Sequence, residues 1–141
     1  MKRVAAAGAL LAALALGGCR LDLVREHPLG CRAGEEALAR DTLYFGRTLP
    51  DGGDVDDAAW RRFEDDVLAP AFPRGYSVLQ ASGRWRGGDG RALAERSRIV
   101  IVVHADDAAA ATAVRDIAAR YRALFRQESV LRERSAVCAT F

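Results

Sequence analysis

The sequence predicts an α+β domain in which a four-stranded antiparallel sheet carries two helices on one face. Three observations lead there. Runs rich in β-branched and aromatic residues alternate with two amphipathic stretches in the order β-α-β-β-α-β. Both amphipathic stretches open on Asp-Asp-Ala-Ala, at 56–59 and 106–109, which supplies a capping carboxylate each time. The uninterrupted run RIVIVV at 98–103 has the composition of a central strand, apolar on both faces.

The elements follow in order. DTLYFGRTL (41–49) reads as the first strand, and Pro50-Asp51-Gly52-Gly53 ends it with turn chemistry. Asp56 is suited to cap the first helix, and Val55 before it can staple onto Trp60 at the fourth helical position. Trp60, Phe63 and Val67 recur at helical spacing, and Pro70, Pro73 and Gly75 are expected to stop the helix. YSVLQASGRWR (76–86) reads as the second strand, Gly87-Gly88-Asp89-Gly90 as a flexible turn, and 98–103 as the third strand. Asp106 or Asp107 then caps a helix with apolar positions at Val114, Ile117, Ala118, Tyr121, Leu124 and Phe125, the strongest helical pattern in the chain. ESVLRERSAVCATF (128–141) closes the domain as the fourth strand. With right-handed crossovers this order is a ferredoxin-like split βαββαβ sandwich, whose first and last strands pair antiparallel.

Strand alternation separates two faces. Leu43, Phe45, Leu79, Ala81 and Leu131 are expected under the helices. Tyr44, Gln80, Ser82, Arg84 and Arg132 are expected on the open face, and a bulge at Gly83 would move Trp85 between the two. Because Ile99–Val103 is apolar throughout, something is expected to cover part of the open face: a second copy, the N-terminal tether or a ligand. The candidate ligand face is therefore Tyr44, Gln80, Arg84, Trp85 and His104. His104 ends the third strand just before a helix N-terminus, a place for a general base or an anion contact. No Gly-x-Ser-x-Gly, Walker-type loop or Cys-His nucleophile pair is present, and the glycine-rich turn opens no helix, so no catalytic constellation or cofactor is expected.

The N-terminus reads as an address. Lys2 and Arg3 precede an apolar run from Val4 to Leu16 that is too short to span a bilayer, followed by Leu16-Gly17-Gly18-Cys19. That ending resembles a bacterial lipobox, which implies cleavage after Gly18, lipidation of the Cys19 thiol and acylation of the new amino terminus. The expected organisation is a signal peptide at 1–18, a lipidated tether at 19–40 and a single domain at 41–141. The site expected is the cell-envelope membrane, the periplasmic face of an outer membrane where the host has one. The chain has 21 basic and 19 acidic residues, and Lys2 and Arg3 supply the whole excess, so the mature protein is formally neutral and carries no nucleic-acid footprint. Cys31 and Cys138 remain, and in an oxidising compartment an even pair most simply forms one disulfide; a metal site with His27 or His104 is the competing reading, with no ligand spacing to support it.

From Asp41 onward the chain resembles the bacterial family known as domain of unknown function 3574. The matching stretches are LYFGRTLPDGG (43–53), the helix at Trp60, FPRGYSVLQASGRWRG (72–87), ERSRIVIVVH (95–104) and FRQESVLRERSAVC (125–138). The resemblance implies a small exported or lipid-anchored protein with paired cysteines, and it supplies no catalytic residue. Two functions are then expected to compete. One is a non-enzymatic envelope domain binding a ligand or partner, a homodimer included, through its open face. The other is a small enzyme of the dimeric ferredoxin-like barrel type, with His104, Tyr44 and Arg84 around an enclosed cavity.

Overall fold

The structure, a computed structural model, describes residues 30–141; Cys19 and the signal segment lie outside the described residues. The strands are β1 (Glu36–Gly46), β2 (Ser77–Arg86), β3 (Ala92–His104) and β4 (Leu131–Ala139). They form one antiparallel sheet in the order β2-β3-β1-β4. The helices are α1 (Asp57–Phe63), which runs on through a π-helical turn (Glu64–Leu68) into the short α2 (Ala69–Ala71), and α3 (Ala108–Phe125). The ferredoxin-like split sandwich stands as expected.

Asp56 and Asp107 cap the two helices, accepting from the amides of Ala59 at 2.7 Å and Ala110 at 2.8 Å. The first helix passes through Pro70 instead of stopping there. Its ladder has already widened to i→i−5, with the Ala69 amide bonded to the Glu64 carbonyl, and Pro70 then sits in the first positions of a new turn, where no amide is needed. At the far end of α3, Arg126 takes the left-handed conformation, φ 50°, that ends the helix.

The core lies between the helices and one face of the sheet. Phe45 is its hub, edge-on to Trp60 at 5.6 Å, Phe63 at 5.7 Å and Tyr121 at 4.7 Å. Their polar ends are satisfied: Tyr121 donates to the Gly46 carbonyl at 2.7 Å, and the Trp60 indole N–H donates to Glu64 at 2.9 Å. Tyr76 also donates to Glu64, and burial together with that carboxylate pushes its phenol up to about 12. Val55 and Trp60 are both buried, as the staple requires.

Three expectations need correction. First, β1 begins at Glu36, ahead of the strand start expected at Asp41, because Ala39 and Asp41 are buried and the pairing with β4 extends to Glu36↔Ala139. Second, the faces of β2 are exchanged. Val78 pairs with the fully buried Val100 and packs against the core, which turns Leu79, Ala81 and Trp85 to the open face and Gln80, Ser82 and Arg84 to the helical side. A shift of one residue in the counting moves every side chain across the sheet. The ladder runs unbroken through Gly83↔Glu95, so no bulge intervenes. Third, β4 is exchanged likewise: Leu131 pairs with Tyr44 on the open face, and Arg132 pairs with Leu43 on the helical face, where its guanidinium holds Asp41.

Cys31 and Cys138 form a disulfide, with Cα atoms 5.5 Å apart. It stands where the start of β1 meets the end of β4, at Ala37↔Cys138.

Candidate functional site

Register scatters the five expected ligand-face residues. Tyr44 and Trp85 lie on the open face, while Gln80, Arg84 and His104 take helical-side register positions, although Arg84 still lines the same open-face hollow as Tyr44 and Trp85. Tyr44 and His104 therefore occupy opposite faces of the sheet, and His104, Tyr44 and Arg84 do not converge on one cavity.

His104 instead belongs to a buried clasp. Its Nε2 is 2.8 Å from Asp41 Oδ2, while Arg132 reaches Asp41 twice, Nε to Oδ1 at 2.6 Å and a terminal nitrogen to Oδ2 at 2.9 Å. Asp41 is fully buried. Burial pushes its carboxyl up, but the hydrogen bonds and charges of Arg132 and His104 together outweigh that and hold it below the ordinary aspartate value. The other ring nitrogen, Nδ1, faces the Ala105 carbonyl at 2.7 Å, and the ring stacks against Phe72 at 6.5 Å. Both ring nitrogens are thus engaged, one with the Asp41 carboxylate and one with a backbone carbonyl, and they hold the ring in the clasp. A crevice of about 170 Å³ that His104 and Arg74 line is otherwise walled by apolar residues and glycine, among them Phe72, Pro73 and Val103. This cluster fixes β1, β3 and β4 to one another.

The better candidate is on the open face, at the end of the sheet where β1 leaves it. Two adjoining hollows of about 190 and 540 Å³ share Trp85, Glu95 and Ser129. Tyr44, Leu131 and Ser97 extend one, and Leu93, Gln127 and Glu128 extend the other. The larger falls within the range of small-molecule sites, about 300–1,000 Å³. Its apolar wall is unusually bare: Trp85 is 41 % exposed, Leu93 51 % and Leu131 47 %.

Glu95 is the polar centre of this hollow. Burial pushes its carboxyl up, and the one compensating contact is the backbone amide of Thr48. Gly46 makes its position possible, since a Cβ there would stand 2.2 Å from Glu95 Oε1. Gln127 fixes the adjoining wall by donating to the Thr48 carbonyl at 2.7 Å. Tyr44 donates to Glu133 at 2.9 Å, and that bond raises its phenol above the ordinary value. From sequence, Glu95 and Gln127-Glu128-Ser129 read only as flanks of strands. The available signal was Gly46 opposite Ser97, a side-chain-free position in an otherwise bulky strand, but it becomes legible only once the register is known.

Residues 40–141 match the family model described as "Protein of unknown function (DUF3574)", and the chain belongs to that family. No curated protein matches it by sequence. Among solved structures it is similar to a phage SAM lyase in complex with S-methyl-5′-thioadenosine, with 14 % identity and a TM-score of 0.58 over 82 % of this chain and 96 % of that one. The apo state of a phage SAM lyase matches with 17 % identity and a TM-score of 0.57, over 80 % and 96 % of the two chains. At such identities the likeness is one of fold.

Proposed function

We propose that this protein is an exported, lipid-anchored cell-envelope protein whose domain binds a small molecule in the open-face hollow around Glu95. The observation that carries the binding reading is a partly buried carboxyl without an ion-pair partner among the described residues, set in a hollow walled by exposed Trp85, Leu93 and Leu131. Large exposed apolar groups around a few fixed polar atoms are the usual composition of a ligand site. The phage SAM lyase of the same fold supports the choice of a first probe, the adenosine thioether in its complex.

Export is supported by the lipobox-like Leu16-Gly17-Gly18-Cys19 and by the Cys31–Cys138 disulfide, which suits an oxidising compartment. No helix among the described residues is long and apolar enough to cross a membrane. Lipid supplies the anchor in this reading, and stable anchoring takes more than one chain, which a lipidated thiol plus an acylated amino terminus provides. Cys19→Ala is expected to abolish metabolic palmitate labelling and membrane retention. An unlabelled wild-type protein overturns the anchor.

For the hollow, S-methyl-5′-thioadenosine titrated into the full-length protein in detergent is expected to bind saturably. Gly46→Ala is expected to abolish that binding by displacing the Glu95 carboxylate, while changing fold stability by no more than about 1 kcal/mol, because the atom that must move is the far end of a flexible side chain. Trp85→Ala gives a second reading from the opposite wall. Binding that survives both substitutions places the ligand elsewhere and overturns the assignment.

A further inference from the structure

We infer that the hollow takes an organic cation, a sulfonium or amine borne on a flat, largely apolar body such as a nucleoside. The inference rests on the reading of this hollow as the ligand site and adds the charge of its occupant.

Four charged residues line the hollow, Glu95 and Glu128 against Arg84 and Arg126, and their pairing decides which charge is left uncompensated. Glu95 is central to it, and Glu128 lines its larger part. Glu133 lies just beyond Tyr44, bonded to its hydroxyl. Two arginines border the hollow, but neither neutralises Glu95. Arg126 is paired with Asp51, and Arg84, which lines the smaller hollow from a helical-side register position, forms no ion pair with Glu95. Among the described residues no guanidinium or imidazole forms an ion pair with Glu95.

The same walls select against anions. A phosphate needs free donors, and the glycine turn beside the hollow has spent its own. The Gly87 amide bonds to the Arg91 carbonyl, that of Gly90 to the Gly87 carbonyl, and that of Gly88 reaches Glu128 at 3.4 Å. A neutral ligand would leave the Glu95 carboxyl in its desolvated state, which disfavours the charge. A cation removes that penalty by pairing with it. Trp85 adds to the same preference, because the face of an indole attracts a positive charge. Leu93, Leu131 and Tyr44 then receive the apolar body.

The test compares two probes that differ by one methyl group and one positive charge: S-methyl-5′-thioadenosine and its S-methylated sulfonium. Each is titrated calorimetrically into the full-length lipidated protein in detergent. The sulfonium is expected to bind about tenfold more tightly or better, the scale of one desolvated charge contact. Glu95→Gln is expected to bring the ratio near one without shifting the melting temperature. Equal affinities that are both lost in Gly46→Ala overturn the cation inference and leave the hollow as a ligand site. A preference that persists in Glu95→Gln overturns the role of that carboxyl. Failure of both probes to bind overturns the inference and the reading beneath it together.

Discussion

Replacing Asp41 with alanine is expected to cost about 3–5 kcal/mol of stability, the scale seen when one member of a buried ion cluster is removed and the others are left uncompensated. Asp41 is fully buried and receives two hydrogen bonds from Arg132 and one from His104. Without it, a guanidinium and an imidazole that are mostly shielded from water lose the carboxylate they share. The cluster joins β1 to both its neighbours, because His104 belongs to β3 and Arg132 to β4. Its loss therefore loosens the sheet at its centre. Chemical denaturation of the two proteins measures the difference. A second comparison separates the charge from the packing: changing Asp41, His104 and Arg132 together to apolar residues of similar size is expected to cost less than Asp41→Ala alone, because buried charge clusters often exchange for packed hydrocarbon at little net cost. Equal losses would show that volume, not charge, sets the effect.

The same cluster gives the fold an acid limit. The folded state holds the Asp41 carboxyl below its ordinary value of 3.8, so folding favours the ionised form. That contribution is complete above the unfolded value and fades as pH falls through the lower folded value. In Asp41→Asn the corresponding part of the acid destabilisation below about pH 4 is expected to vanish. Parallel stability curves for wild type and Asp41→Asn in that range would assign the acid limit to other carboxylates.

This clasp also explains what the sequence did and did not reveal. Hydrophobic period and capping located every element, because Trp60, Phe63 and Val67, and then Val114, Ile117 and Tyr121, repeat as helices must. The cysteine count and the expected compartment pointed to the disulfide. Face assignment was lost where a polar residue turns inward. Arg132 occupies an inward position because Asp41 is there to receive it, and Asp41 lies 91 residues away in sequence. Alternation in β4 alone, LRERSAVCA, makes Leu131 the natural inward residue. In β2, Val78 and Leu79 are both apolar, and only the pairing with Val100 decides which one packs. The hollow was illegible for a related reason. It depends on a missing Cβ at Gly46, a carboxylate from β3 and a wall from the β4 connection, three segments that only tertiary structure brings together.

The second large effect is expected from the disulfide. Changing Cys31 and Cys138 together to serine is expected to lower stability by about 2–5 kcal/mol, since the bridge closes a long loop, with a sequence separation of 107, and so restricts the unfolded chain. Equilibrium unfolding in urea tests this, and the slope of the transition is expected to steepen, because an unfolded chain without the cross-link exposes more surface. An unchanged slope with the same loss of stability would place the effect in the native state instead. The location of the bridge suggests why a long loop is closed at this point. β1 is an inner strand, flanked by β3 and β4, and the described chain enters it only a few residues after Cys31. In the proposed anchored protein, any pull from the membrane arrives along that entry. With the bridge intact, part of the force passes from Cys31 to Cys138 at the end of β4, so β1 and β4 are loaded together instead of β1 being drawn out of the sheet from its first residue. Stretched from its N-terminus, the serine variant is accordingly expected to yield at a lower force than wild type, and to a greater degree than its loss of equilibrium stability alone would produce.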